Sequence, residues 1–497
     1  MQSPAKHPKG LYFLFFTEMW ERFSFYGITG ILVLYLSKSL NVPESDAGLV
    51  SGAYMAFTFL APILGGWVAD KLIGYVWAVT LGGILILLGN VVMALPFGLD
   101  MLYFGLAIVA VGTGFLKSTV SVMLGQLYAK QDVKRDSAYT LFYMGINLGS
   151  ILAGLIIAYV AEMINWHYGF ALAAIGMFIG LIIFLCGYKK GYYSDQSNVV
   201  KTANLRRKIL LFNCGIWLII GSILIVAAIF YLLSAPGNTK IVITMISFGM
   251  LFYIGFLAIS SKNSTERNQL FSILVFIITA IFFWSLYKQS FNSLALFIDK
   301  DIQRSVMGHT IPSSMFVLVP NAAFIIILAS VFAKIWLKLE TYGKNPSAPI
   351  KFLLGLLFTL ASFSIFAVGA YLAYTTGDKS SMLWPLLGIL LLTCAELCIS
   401  PVGLSIVSKM SPLRLSGFLM GAWFLASSIG SYVSGLLSSF VQLPKGVLDV
   451  RISAEAYFKL FLFCSLGMAC VVVIFMLCLP LIKRLTNSKT PAKSLSV

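Results

Sequence analysis

The chain has 497 residues, of which 59% are hydrophobic and only 11% charged, against about 25% charged in ordinary soluble domains. Lys and Arg number 35 against 18 Asp and Glu, for a net charge of +17. These figures exclude a soluble enzyme, and no basic patch is interleaved with aromatics in a soluble stretch as nucleic-acid binding would require.

A short polar run, Met1 to Gly10, leads into an apolar helix much longer than the core of a signal peptide, so no secretory signal is expected. Runs near the bilayer length of about 20 residues predict helices at 11–37, 48–69, 77–97, 101–125, 138–161 and 168–188. Two more follow at 209–233 and 241–260. Six further runs lie at 270–298, 313–337, 352–375, 382–408, 415–443 and 456–482. The expectation is about fourteen helices, an even number that puts both termini on one side.

The basic residues choose the side. With the N-terminus inside, about 24 of the 35 Lys and Arg fall in cytoplasmic segments and about seven in outer loops. The most basic linker, Tyr188 to Lys208, follows the sixth helix and carries Lys189, Lys190, Lys201, Arg206, Arg207 and Lys208. The simplest parse is a six-helix bundle over 1–188, a linker with two inserted helices over 189–268, and a second six-helix bundle with a short cytoplasmic tail over 269–497.

Charges inside the spans are costly and point to function unless they sit at a span end. The acids are Glu18, Glu21 and Glu396, and the bases Arg22, Lys117 and Lys288. Glu18, Glu21 and Arg22 share one face of the first helix, at spacings of three and four. The six come from the first, fourth, seventh and tenth helices of a six-plus-six arrangement, the pattern of a secondary transporter with its site near the midplane. Lys459 reads instead as a lysine snorkelling from a span end. The seven cysteines all lie in apolar spans. Cys394 and Cys398 share a helix face without a second pair or a nearby His, and His7, His167 and His309 are scattered in a tail and loops. No metal site, catalytic residue or cofactor is expected, and a membrane enzyme is disfavoured.

On these residues the chain resembles the proton-dependent oligopeptide transporter family of the major facilitator superfamily. Its first-helix motif ExxERFxYY is matched by Glu18, Glu21, Arg22, Phe23 and Tyr26. The fourth and fifth helices match at Gly112, Gly114 and Lys117, and from Phe142 and Tyr143 to Asn147, Gly149 and Ser150. The tenth matches at Glu396 and Pro401, and the eleventh at Ser411, Pro412, Gly421, Trp423 and Phe424. Gly66, Asp70 and Gly74 match the superfamily's G-x-x-x-D loop, with Asp70 as an expected gating-loop residue.

The resemblance implies an all-α facilitator bundle and import of di- and tripeptides with protons by alternating access. Glu18, Glu21, Arg22 and Lys117 would couple the proton. Lys117 would also take the peptide carboxylate, and Glu396 with Asn147 the ammonium. Tyr26, Trp423, Phe424 and Ser427 would complete the substrate contacts. Lys288 and Asn321, which depart from the family pattern, are further candidate contacts, Lys288 for gating or for binding an anionic group. A proton-coupled carrier of another small solute, such as an amino acid, modified dipeptide or anion, is the alternative. The implied partners are small peptides, protons and the lipid bilayer, and no nucleic acid. The chain would work as a monomer in a bacterial inner membrane, with both termini cytoplasmic.

The departures are specific. The first motif tyrosine is Phe25, and a second-helix pocket tyrosine falls on Phe59, so two phenols are missing and a drier pocket is expected. The family's Asn-Pro on the eighth helix becomes Pro320-Asn321, which turns the amide by about 100° around the helix. An Arg common on the first helix is Thr29. The acid that usually pairs with it from the seventh helix is Lys288, so both members of one ion pair are absent together.

Overall fold

The computed structural model describes residues 7–129, 132, 134–193, 208–209, 212–443 and 449–486. Lys201, Arg206 and Arg207 of the basic linker lie outside them. Almost every described residue is helical. α1 is Lys9–Leu34, closed by a wider π turn at Tyr35–Ser39. α2 is Glu44–Val68 and runs into a second π turn, Ala69–Ile73. α3 is Tyr75–Ala94 and α4 is Leu99–Gln126. α5 is Lys134–Leu152 and continues through Ala153–Ala158 to Met163. α6 is Trp166–Lys189, α7 Cys214–Ser234 and α8 Pro236–Ser260. α9 is Ser264–Tyr287, followed after one 3₁₀ turn by α10, Ser293–Asp301. α11 is Ser313–Thr341, α12 Ala348–Thr376, α13 Leu383–Met410, α14 Ser416–Ser438 and α15 Val450–Thr486.

Thirteen long apolar helices are found among the described residues, each able by length and composition to cross a membrane. α1 makes a fourteenth, its apolar run interrupted by Glu18, Glu21 and Arg22. α9, the 3₁₀ turn and α10 count as one crossing element. Three two-residue β pairs are the exception to the helical plan; in one, Ser305–Val306 pairs antiparallel with His309–Thr310.

The chain falls into two compact units. The first holds residues 1–236 with 304–326, and the second 237–303 with 327–497. In the first, α4 is the central helix, and small residues let its neighbours approach. A side chain on Gly65 of α2 would overlap the backbone of Gly114 on α4, and one on Gly82 of α3 would lie 2.6 Å from the Gly112 carbonyl. Gly112 and Gly114 are thus contact points between helix backbones, a common solution where lipid tails compete for apolar surface. Gly74 ends the second π turn at φ +79°, a conformation open to glycine at little cost, and α3 begins at the next residue.

In the second unit, Phe363 and Phe366 of α12 meet Phe461 of α15 with ring centroids 6.2 and 5.8 Å apart. Phe297 of α10 joins them at 5.3 Å from Phe461. The two inserted helices are peripheral. Only 11% of the apolar window of α7 and 22% of that of α8 is buried within the protein. α7 packs on α4, where Phe230 meets Phe104, and α8 on α14, where Tyr253 meets Phe418.

Candidate functional site

The first unit carries a buried ionic cluster on α1. Glu18, Glu21 and Arg22 are 3%, 1% and 3% exposed. The Arg22 guanidinium Nε lies 3.2 Å from Glu18 Oε1 and also donates to Glu21 Oε2, so one cation is shared by two carboxylates. The i, i+4 spacing of Glu18 and Arg22 makes the first contact possible within one helix. α5 closes over the cluster through Gly149. A β-carbon there would run into the Met19 carbonyl and meet the Arg22 β-carbon at 3.0 Å. The glycine therefore fixes how closely the fifth helix covers the charges.

The cluster is not saturated. Glu18 Oε2, Glu21 Oε1 and Arg22 Nη2 are buried without a hydrogen-bond partner among the described residues. Taking ions out of water costs several kcal/mol each unless charge and hydrogen bonds compensate. The remaining compensation includes Lys117 of α4, which acts electrostatically on Glu18. Two carboxylates and two bases then sum to zero.

Lys117 also meets aromatic faces. Its ammonium lies 3.7 Å from the Phe59 ring centroid and 5.7 Å from that of Phe25. Arg22 lies 4.8 Å from the same Phe25 ring. The two phenyl rings are edge to face, 6.5 Å apart. At both positions where the phenol is missing, an aromatic face is turned to a cation. Such contacts are worth about 0.5–1 kcal/mol when exposed and about 2 or more when desolvated.

The other residues singled out from the sequence fall as follows. Asn147 is buried on α5 and donates to the Tyr143 carbonyl at 2.9 Å. Tyr26 and Asn321 are half-buried. Asp70 is exposed in the second π turn and hydrogen-bonds Tyr75. Thr29 is buried, and its hydroxyl returns to the Phe25 carbonyl of its own helix at 2.8 Å.

In the second unit, Lys288 is only 5% exposed and so does not snorkel. Its ammonium lies 5.5 Å from each of the Trp284, Tyr287 and Phe291 ring centroids. The predicted continuous helix 270–298 is broken at this point. Gln289 donates to the Ser434 carbonyl and Asn292 to the Ser434 hydroxyl, both at 2.9 Å, tying the 3₁₀ turn to α14. Glu396 is half-buried on α13. Trp423 is buried, 2% exposed, against Gly403 of α13, and Ser427 is 5% exposed. Phe424 is 41% exposed. Lys459 is paired with Glu455 at 2.6 Å on the exposed face of α15. Among the described residues no group of three or more His, Cys, Asp or Glu could hold a metal ion.

Sequence reasoning missed three polar features. Asn90 of α3 donates to the Ser24 hydroxyl at 2.8 Å, one turn along α1 from Glu21. Tyr54 of α2 is fully buried within electrostatic range of Glu21 and Arg22. Glu162 accepts from the Ser313 and Ser314 amides at 2.9 and 2.8 Å and from the Ser313 hydroxyl at 2.9 Å, capping the N-terminus of α11. Only the last had a usable signal, paired serines opening a helix, and its acid partner lies far away in the chain.

The POT family profile matches residues 76–460. The peptide transporter YePEPT of Yersinia enterocolitica subsp. palearctica is 35% identical over 505 aligned positions, covering 97% of this chain and 96% of that one. The di-/tripeptide transporter of Lactococcus lactis subsp. cremoris is 36% identical over 461, covering 87% and 89%. A crystal structure of the peptide transporter POT in complex with sulfate superposes with a TM-score of 0.84 at 32% identity, over 97% of both chains. A mutant of that transporter in complex with alafosfalin gives 0.85 at 32% identity, over 98% and 97%.

Proposed function

This chain belongs to the POT family of proton-dependent oligopeptide transporters, and we propose from that premise how its buried charges couple a proton to a peptide. It is a multi-pass membrane transporter of di- and tripeptides, not an enzyme. Glu21 carries the proton, Lys117 takes the peptide carboxylate, and Glu396 takes the ammonium.

One observation carries the reading: Arg22 is divided between Glu18 and Glu21 in a buried cluster that Lys117 also acts on. With both acids ionised the four charges cancel. A proton on Glu21 removes one negative charge, and Arg22 settles on Glu18. The cluster is then one positive charge in excess, which a peptide carboxylate on Lys117 neutralises. Proton and carboxylate each make the other's binding favourable, because a carboxylate's proton affinity follows its local charge.

Asn147 and Tyr26 in the first unit, and Lys288, Trp423, Phe424 and Ser427 in the second, are assigned to the peptide's remaining polar groups and side chains, with Asn321. Asp70 is assigned to gating. The domain parse is a bundle over 1–188, a linker with two inserted helices over 189–268 and a bundle over 269–497. A single chain in a bacterial inner membrane, both termini cytoplasmic, carries the whole cycle by alternating access.

The test is uptake of a labelled dipeptide into proteoliposomes. An inward proton gradient should drive accumulation above equilibrium. Equal uptake with and without the gradient would refute coupling.

A further inference from the structure

Tyr54 lies ten residues into α2, in a helix whose buried residues beyond Glu44 at its start are otherwise Gly, Ala, Val, Met, Phe, Ser and Thr. Its side chain is 0% exposed and among the largest fully buried ones in the protein. Its hydroxyl has no hydrogen-bond partner among the described residues. Buried phenol hydroxyls usually find one, and an idle buried donor is destabilising. Tyr54 lies within electrostatic range of Glu21 and Arg22. Glu21 presents the complementary orphan: Oε2 accepts from Arg22, while Oε1 is buried without a partner. A buried unused donor on α2 and a buried unused acceptor on α1 thus lie within electrostatic range of each other.

We propose that Tyr54 is a positioning residue for the coupling proton: its hydroxyl is the hydrogen-bond donor that Glu21 takes up when its carboxylate turns away from Arg22. This rests on Glu21 being the proton carrier. The phenol gives the Glu21 carboxyl a second partner once Arg22 has settled on Glu18. The charged or titratable groups around it are Glu18, Arg22 and Tyr26 on its own helix, Tyr54 on α2 and Lys117 on α4. Of the other helices packed on α1, α5 carries Tyr143, which is exposed, with Lys134, Arg135 and Tyr139 toward its start and Tyr159 and Glu162 in its continuation, and α6 has its titratable groups at its two ends.

The test is Tyr54→Phe, which removes one oxygen and keeps the buried ring. Proton-driven dipeptide uptake and counterflow exchange are measured in proteoliposomes across pH. Losing a donor to a carboxylate favours the protonated acid, so half-maximal proton-driven uptake should move up by about one pH unit. Counterflow should stay within twofold, and thermal stability should be unchanged or raised. Infrared detection of the protonated Glu21 carboxyl, assigned by its absence in Glu21→Gln, reads the same shift without transport. An unmoved infrared midpoint would overturn the proposal, whatever happens to the rate. If Glu21→Gln retained gradient-driven uptake, the underlying assignment of Glu21 would fail instead, a result separable from the Tyr54 outcome.

Discussion

The Lys117 ammonium of α4 sits 3.7 Å from the ring centroid of Phe59 on α2, where the family resemblance implies a phenol. The ring is not filler for a lost hydroxyl. It presents the negative face of its quadrupole to the Lys117 ammonium. Phe25, beside it, serves both Lys117 and Arg22.

Phe59→Leu should therefore raise the KM for dipeptide by about 2- to 30-fold, the equivalent of roughly 0.5–2 kcal/mol. Phe59→Tyr, which keeps the face, should stay near wild type. Uptake measured against peptide concentration checks both. An unaffected KM in the leucine variant would show that the ring does not support Lys117.

Glu396→Gln should weaken peptides with a free amino terminus far more than their N-acetylated counterparts, because truncating one partner of a buried charge pair costs about 2–5 kcal/mol. Competition of each ligand against a labelled dipeptide measures the difference. Equal losses would remove Glu396 from the ammonium site.

Lys288 is held beside three aromatic rings rather than reaching for an interface. Lys288→Met should lower transport strongly, with acidic dipeptides losing most. Transport within twofold of wild type, equal across substrates, would make the lysine structural.

Glu162→Gln should lower the thermal midpoint while leaving the KM for dipeptide unchanged. The carboxylate caps two amides and a hydroxyl at the start of α11, and a charge at a helix N-terminus is worth about 1 kcal/mol. A thermal scan of the purified protein decides it; an unmoved midpoint would mean the cap contributes nothing.

What the sequence made legible was local. Glu18 and Arg22 are four apart on one helix, and that spacing alone predicts their contact. Gly66, Asp70 and Gly74 predict a turn after the second helix, and Gly74 supplies the positive φ that ends it. What it hid depends on other helices. The break after Tyr287 has no Pro or Gly to mark it; it is held by Ser434, some 145 residues on. Phe59 read as a missing hydroxyl because nothing local says that a lysine of α4 will approach its face. Tyr54 has no local signal in its apolar run, since the role proposed for it depends on Glu21 of another helix.

The central claim is that Glu21 carries the proton, and Glu21→Gln in proteoliposomes tests it most directly. The neutral amide can still hydrogen-bond to Arg22 but cannot gain or lose a proton. Gradient-driven accumulation of dipeptide should be abolished, while counterflow exchange, which needs no net proton movement, should stay largely intact. Concentrative uptake at near the wild-type rate would contradict the account.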